Sequence, residues 1–83
     1  MNLIDLPNIG SKLAHLLTEA GITSSEDLLS TGSRDAFLKI RKSDPTACLD
    51  MLYALEGAVQ GIRWHKLSKE DKQELKAFFN RLD

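Results

Sequence analysis

The segment Leu6-Pro7-Asn8-Ile9-Gly10-Ser11-Lys12-Leu13-Ala14 carries the clearest chemical signal in this chain. Pro7 fixes φ and suits the entry to a turn. Ile9 is an apolar side chain that can plug a core beneath it. Gly10 admits a left-handed or closely approached backbone just before a helix. Asn8 or Ser11 can cap the N–H groups that follow. Such a turn presents several amides beside the positive end of a helix, with the Lys12 ammonium at hand. That constellation suits a phosphate oxygen, and the same residues can equally serve only to stabilise the turn. On the phosphate reading the nucleic-acid-binding set is Asn8, Ile9, Gly10, Ser11 and Lys12. The basic residues Arg34, Lys39, Arg41 and Lys42 extend it.

Glu56 is the next candidate, because it sits in an otherwise apolar run between Leu55 and Gly57. A buried carboxylate needs partners or becomes protonated. The available donors are Trp64 Nε1, Tyr53 and the free amides of the N-terminal turn. No second carboxylate or nucleophile lies at a useful spacing, so Glu56 reads as structural and the chain as no enzyme. His15 and His65 are too far apart in sequence to form a local metal pair, and the single Cys48 excludes a multi-cysteine site. Neither a metal nor a cofactor is expected. His15 is expected to face solvent, His65 to lie on a surface turn and Cys48 to be a small core residue. Trp64 is expected to close the core, with an interface anchor as the alternative.

The whole chain has 83 residues, of which 42% are hydrophobic and 28% charged, as in an ordinary soluble domain. A single domain over 1–83 is expected, burying roughly 60% of its unfolded surface. A net charge of −1 argues against a strong non-specific nucleic-acid binder. The distribution is uneven. Residues 1–33 balance at −3, with Lys12 against Asp5, Glu19, Glu26 and Asp27. Residues 34–45 balance at +2, with Arg34, Lys39, Arg41 and Lys42 against Asp35 and Asp44. No apolar run of about 18 residues is present, so no membrane partner is expected. No basic n-region opens the chain, and one cysteine fits a reducing cytoplasm.

These side chains must be positioned by helices. Leu13, Leu16, Leu17 and Ala20 recur at helical spacing and predict a helix over about 11–20, with Gly21 beyond its end. Thr23-Ser24-Ser25-Glu26 has capping-box spacing and opens a second short helix through Leu28 and Leu29. Ser33 can cap a third helix carrying Phe37 and Ile40. Asp44-Pro45 predicts the start of a fourth helix, with Asp44 as its cap. This helix runs to about Gly61 and is apolar nearly all round, as a central helix must be. Gly57 and Gly61 would let another helix approach it closely. Ser68-Lys69-Glu70-Asp71 starts a fifth helix, striped by Leu75, Phe78, Phe79 and Leu82. Its charges, Lys69, Lys72, Lys76 and Arg81 with Lys66 before it, alternate with acids and read as a solvated face. The fold class is therefore all-α, a compact five-helix domain.

Pro7, Ile9, Gly10 and Ala14 match the helix-hairpin-helix motif, so residues of about 6–29 resemble that element. Asn8 departs from it, standing where DNA-binding versions often have glycine. The hairpin is also similar to one in the C-terminal domain of the bacterial RNA polymerase α subunit. A second signature runs from Met51-Leu52-Tyr53-Ala54-Leu55-Glu56-Gly57-Ala58 through Trp64 to Leu67. Together with Leu6-Pro7-Asn8-Ile9-Gly10 and Ala20-Gly21-Ile22, it resembles the C-terminal domain of the TfoX (Sxy) family, over about Leu3 to Leu75. The resemblance implies a non-enzymatic bacterial domain that regulates competence for DNA uptake. It implies partners among DNA, a transcription factor and RNA polymerase. Two forms of that reading stand: weak, sequence-tolerant DNA binding through hairpin amides, or protein-only interaction around a structural hairpin. Full-length members of the family carry another domain first, so a stand-alone protein and an excised domain both remain open.

Overall fold

Two helices begin at a capping serine, Ser24 or Ser68, and three end against a positive-φ glycine, Gly21, Gly32 or Gly61. The computed structural model describes residues 1–82. Among them every regular element is helical. A turn of 3-10 helix, Leu3–Asp5, precedes α1 (Ser11–Glu19), α2 (Ser25–Thr31), α3 (Ser33–Ser43) and α4 (Leu49–Gln60). A second 3-10 turn, Trp64–Lys66, leads into α5 (Lys69–Arg81). The radius of gyration is 11.6 Å, close to the ~12 Å of a compact chain this long. No helix among the described residues is long and apolar enough to cross a membrane.

The end of α1 is a Schellman turn. Gly21 takes φ 89°, its N–H donates to Thr18 O and the Ile22 N–H donates to Leu17 O at 2.9 Å. Ile22 and Leu17 are both buried there. The end of α4 repeats the device: Gly61 is left-handed at φ 77°, and Ile62 N–H donates to Gly57 O. The start of α2 is capped by Ser24, whose Oγ accepts from the Asp27 N–H at 3.1 Å. This shifts the expected Thr23 box by one residue, because Thr23 instead donates its N–H and hydroxyl to the Asp27 carboxylate. Ser68 caps α5 as expected, accepting from Asp71 N–H at 3.0 Å.

Two expected boundaries move. Gly32 precedes α3, and Ser33 is its first residue rather than its cap. Asp44-Pro45 does not start α4. Asp44 folds its carboxylate onto the Thr46 N–H and hydroxyl, making a turn after α3. The helix begins only after Cys48, which takes extended backbone at its N-cap. Cys48 is therefore exposed, against the expectation of a core residue.

The core forms where α3 and α4 pack together and α5 closes over them. Phe37, Ile40, Leu52, Leu55 and Leu75 are all nearly or fully buried in it, with Leu17 and Leu28 from the first two helices. Phe79 meets Phe37 in a tilted pair at 5.9 Å. Glu56 emerges from this core half-buried. Its partners are not those expected from sequence. Oε1 accepts from Ser33 Oγ at 2.5 Å, and Oε2 accepts from Gln60 Nε2 at 2.6 Å. The carboxylate thus faces the N-terminal end of α3, where negative charge is favourable. Gln60 also donates to Asp71 Oδ2 at 2.9 Å, tying α4 to the first turn of α5.

Glu56→Ala strands the buried Ser33 hydroxyl. A loss of about 1–3 kcal/mol is expected in denaturant melts. A change within about 0.5 kcal/mol, as at free surface sites, would show that the network carries no stability.

The Asp27 carboxyl is held below its ordinary range by the Thr23 N–H first and the Thr23 hydroxyl next. Asp44 is lowered by the Thr46 hydroxyl and then its N–H. The stability these carboxylates add is complete above the unfolded pKa of about 4. It is lost as pH falls through their lower folded values. Melting temperature should therefore drop below about pH 4, and Asp27→Asn should flatten that drop. An unchanged acid limb in the variant would exclude Asp27 as a contributor.

Candidate functional site

Pro7 and Asn8 are the central residues of a four-residue turn closed by Ile9 N–H donating to Leu6 O at 3.4 Å. Asn8 has φ 70°, the one non-glycine residue with positive φ among those described. Proline followed by a left-handed residue is the pattern of a type II turn, and asparagine tolerates that region. The residue needing conformational freedom is therefore Asn8 and not Gly10. Gly10 is extended at φ −91°, and a Cβ added there would meet nothing within 4 Å.

The Asn8 side chain points inward instead of capping α1. Its Nδ2 donates to Ile62 O at 2.9 Å and to Ala54 O at 3.3 Å. Its Oδ1 accepts from the Trp64 N–H at 3.1 Å. One amide thereby joins the hairpin to the end of α4 and to the loop beyond it. The fit requires Gly57. A Cβ there would lie 2.5 Å from Asn8 Nδ2, 2.8 Å from Ile62 O and 3.0 Å from Trp64 Cα. Gly57 thus admits the hairpin and the Trp64 loop, where sequence spacing suggested another helix. Gly61 has a separate role as the left-handed end of α4.

The hairpin's outer edge is more open. Ile9 is buried at 5% exposure, so only its backbone is available. Ser11 begins α1 without capping it, and no side chain caps that helix. Lys12 is exposed, and its charge helps lower the Asp44 carboxyl. It therefore lies near the C-terminal end of α3, the end that carries Arg41 and Lys42. Arg34 is at the other end of the same helix, over the Phe78 ring at 5.7 Å, about 12 Å along the axis from Lys42. Lys39 is exposed between them. The fold brings Lys12 toward one end of the basic segment and leaves Arg34 apart.

His15 faces solvent, with Nε2 3.1 Å from Glu19 Oε1, and His65 is exposed. No group of three or more His, Cys, Asp or Glu among the described residues could hold a metal. Trp64 is half-buried and packs against the core. Its ring stacks on Tyr53 at 5.9 Å and 11°, and Lys72 Nζ lies 5.8 Å from the ring centroid. Beside this stack Tyr53, Leu67, Lys69, Lys72, Gln73 and Lys76 line a hollow of about 320 Å³. Sequence reading passed over these lysines because acids alternate with them along the chain. Their i, i+3, i+7 spacing was the available signal.

Asn8→Gly keeps the turn but removes the clamp, and should cost about 1–3 kcal/mol. Asn8→Ala adds the left-handed penalty of about 1–2 kcal/mol and should be worse. Gly57→Ala should also destabilise, while Gly10→Val should cost less than Asn8→Ala. Denaturant melts check the order. Equal stability of Asn8→Gly and the parent would remove the clamp from the account.

The family described as TfoX C-terminal domain matches residues 1–79. The DNA transformation protein TfoX of Haemophilus influenzae is 34% identical over 73 residues, covering 88% of this chain and 34% of that protein. Protein Sxy of Escherichia coli is also 34% identical over 73 residues, covering 88% and 35%. The chain thus spans about a third of the length of these curated relatives. An uncharacterized Listeria monocytogenes protein, in a triclinic crystal form, superposes with a TM-score of 0.97 at 51% identity. That match covers 99% of this chain and 93% of the other. A Listeria monocytogenes protein of unknown function, in a tetragonal form, gives 0.96 at 51% identity, covering 99% and 100%.

Proposed function

The chain belongs to the TfoX C-terminal domain family, and from that membership we propose that it is a non-enzymatic regulatory domain that acts by binding a protein of the bacterial transcription machinery. The name of the Haemophilus relative, a DNA transformation protein, supports a role in competence for DNA uptake. On this reading the domain works in the cytoplasm.

The observation that carries the protein-binding form is the inward-facing Asn8 side chain. It is spent on Ile62 O, Ala54 O and Trp64 N–H, which gives the hairpin a structural task. Lys12 has the Asp44 carboxylate near it, and the net charge is −1. Both features work against a strong hold on a polyanion. A second reading is favoured by the uncapped start of α1. There the free N–H groups and Lys12 meet a nucleic-acid phosphate weakly and without sequence preference, near 10⁻⁴–10⁻⁶ M, a roughly non-specific affinity. Arg41, Lys42 and Lys39 would extend that contact, with Arg34 too far along α3 to share it.

An NMR titration with a short DNA duplex at low salt separates the two. The amides of Asn8, Ile9, Gly10, Ser11 and Lys12 should stay unshifted. Capture of a protein partner from a bacterial lysate should survive nuclease treatment. Hairpin shifts that vanish at higher salt and with Lys12→Glu would overturn the protein-only reading in favour of phosphate contact.

A further inference from the structure

The α5 helix gathers three lysines on one flank. Lys69, Lys72 and Lys76 recur at i, i+3 and i+7 and share one flank, whereas Glu70 and Glu74 fall together on another. The lysine row extends about 10 Å along the axis. Among the described residues no carboxylate lies within ion-pair distance of these three ammonium groups. Lys72 is held in place, donating to His65 O at 3.3 Å while its ammonium lies over the Trp64 ring. Lys69 and Lys76 are exposed. All three border the hollow of about 320 Å³, whose wall includes the Tyr53 ring and the buried Leu67. No acid lines it.

We propose that this lysine-rimmed hollow beside the Tyr53–Trp64 stack is a docking site for an acidic peptide segment that inserts one large apolar side chain. The proposal rests on the protein-binding reading of the domain and names the chemistry of the partner. Three cations without carboxylate partners call for an anionic segment. The volume is at the low end of small-ligand pockets, roughly 300–1,000 Å³, and suits one anchoring side chain. A nucleic acid fits less well. The Trp64 ring already has Tyr53 stacked beside it and Lys72 near it, so less of it is open as a platform for a base. A duplex would extend past the lysine row onto a chain of net charge −1. A short peptide feels only charges within a Debye length, about 8 Å at physiological salt.

The probe is a short fluorescent peptide rich in Asp and Glu with one central Phe, titrated against the intact domain. Trp64, the single tryptophan, reports from the domain side. Saturable anisotropy with a matching change in Trp64 emission is expected. Lys69→Glu together with Lys76→Glu should weaken binding about tenfold with helicity unchanged by circular dichroism. Replacing the peptide's Phe by Ala should also weaken it. Binding undiminished in the double variant, or no binding by about 1 mM, would overturn the proposal. So would a DNA duplex that changes Trp64 emission where the peptide does not. If the peptide fails while a nuclease-resistant partner is still captured, the face is wrong and the protein-binding reading stands. If the duplex alone binds, that reading falls too.

Discussion

The side chain of Asn8 holds the hairpin, the end of α4 and the Trp64 loop in one arrangement. Its bonds bridge residues 46, 54 and 56 positions apart in the chain. Without them the Ile62 carbonyl and the Trp64 N–H would be left in a partly buried crevice. Polar groups in such places cost more unpaired than they return when paired. The clamp also accounts for the bare helical face at Gly57, since any Cβ there would strike the asparagine and two backbone atoms. Turn geometry and glycine position are thus one constraint. Asn8 must be left-handed for its amide to reach inward, and Gly57 must be bare to receive it.

The other polar contacts around α4 follow the same economy. Glu56 accepts from Ser33 and from Gln60, and Gln60 reaches Asp71. Among the described residues no buried side-chain nitrogen or oxygen lacks a partner. A domain this small has little stability to spare, so one unsatisfied group would be a large fraction of the total. The serine caps of α2 and α5 and the glycine ends of α1 and α4 satisfy backbone groups that the core cannot reach.

This distribution bears on function. Hairpin residues that read as ligand contacts in a linear view are divided by the fold. Asn8 and Ile9 face inward, whereas Gly10, Ser11 and Lys12 remain outside. The basic segment of α3 is divided along its axis, with Arg34 at one end and Lys42 at the other. Three cations without carboxylate partners line one hollow on α5, beside the paired aromatic rings.

Sequence periodicity by itself determined the all-α class, the five helices, the Gly21 ending and the Ser68 cap, because these depend on neighbours within one or two turns. The burial of Ile9 and the apolar stripe of α5 were legible for the same reason. Tertiary structure decided the rest. Asp44-Pro45 has the local chemistry of a helix start, but Asp44 binds Thr46 and delays α4 to Leu49. Cys48 falls outside the helix and is exposed as a result. The Ser33 partner of Glu56 and the Asn8 amide facing Gly57 were illegible, since they come from 23 and 49 positions away. No local pattern encodes which distant donor will fill a carboxylate's lone pairs. That choice is made only when helices pack and one geometry satisfies every buried polar group together.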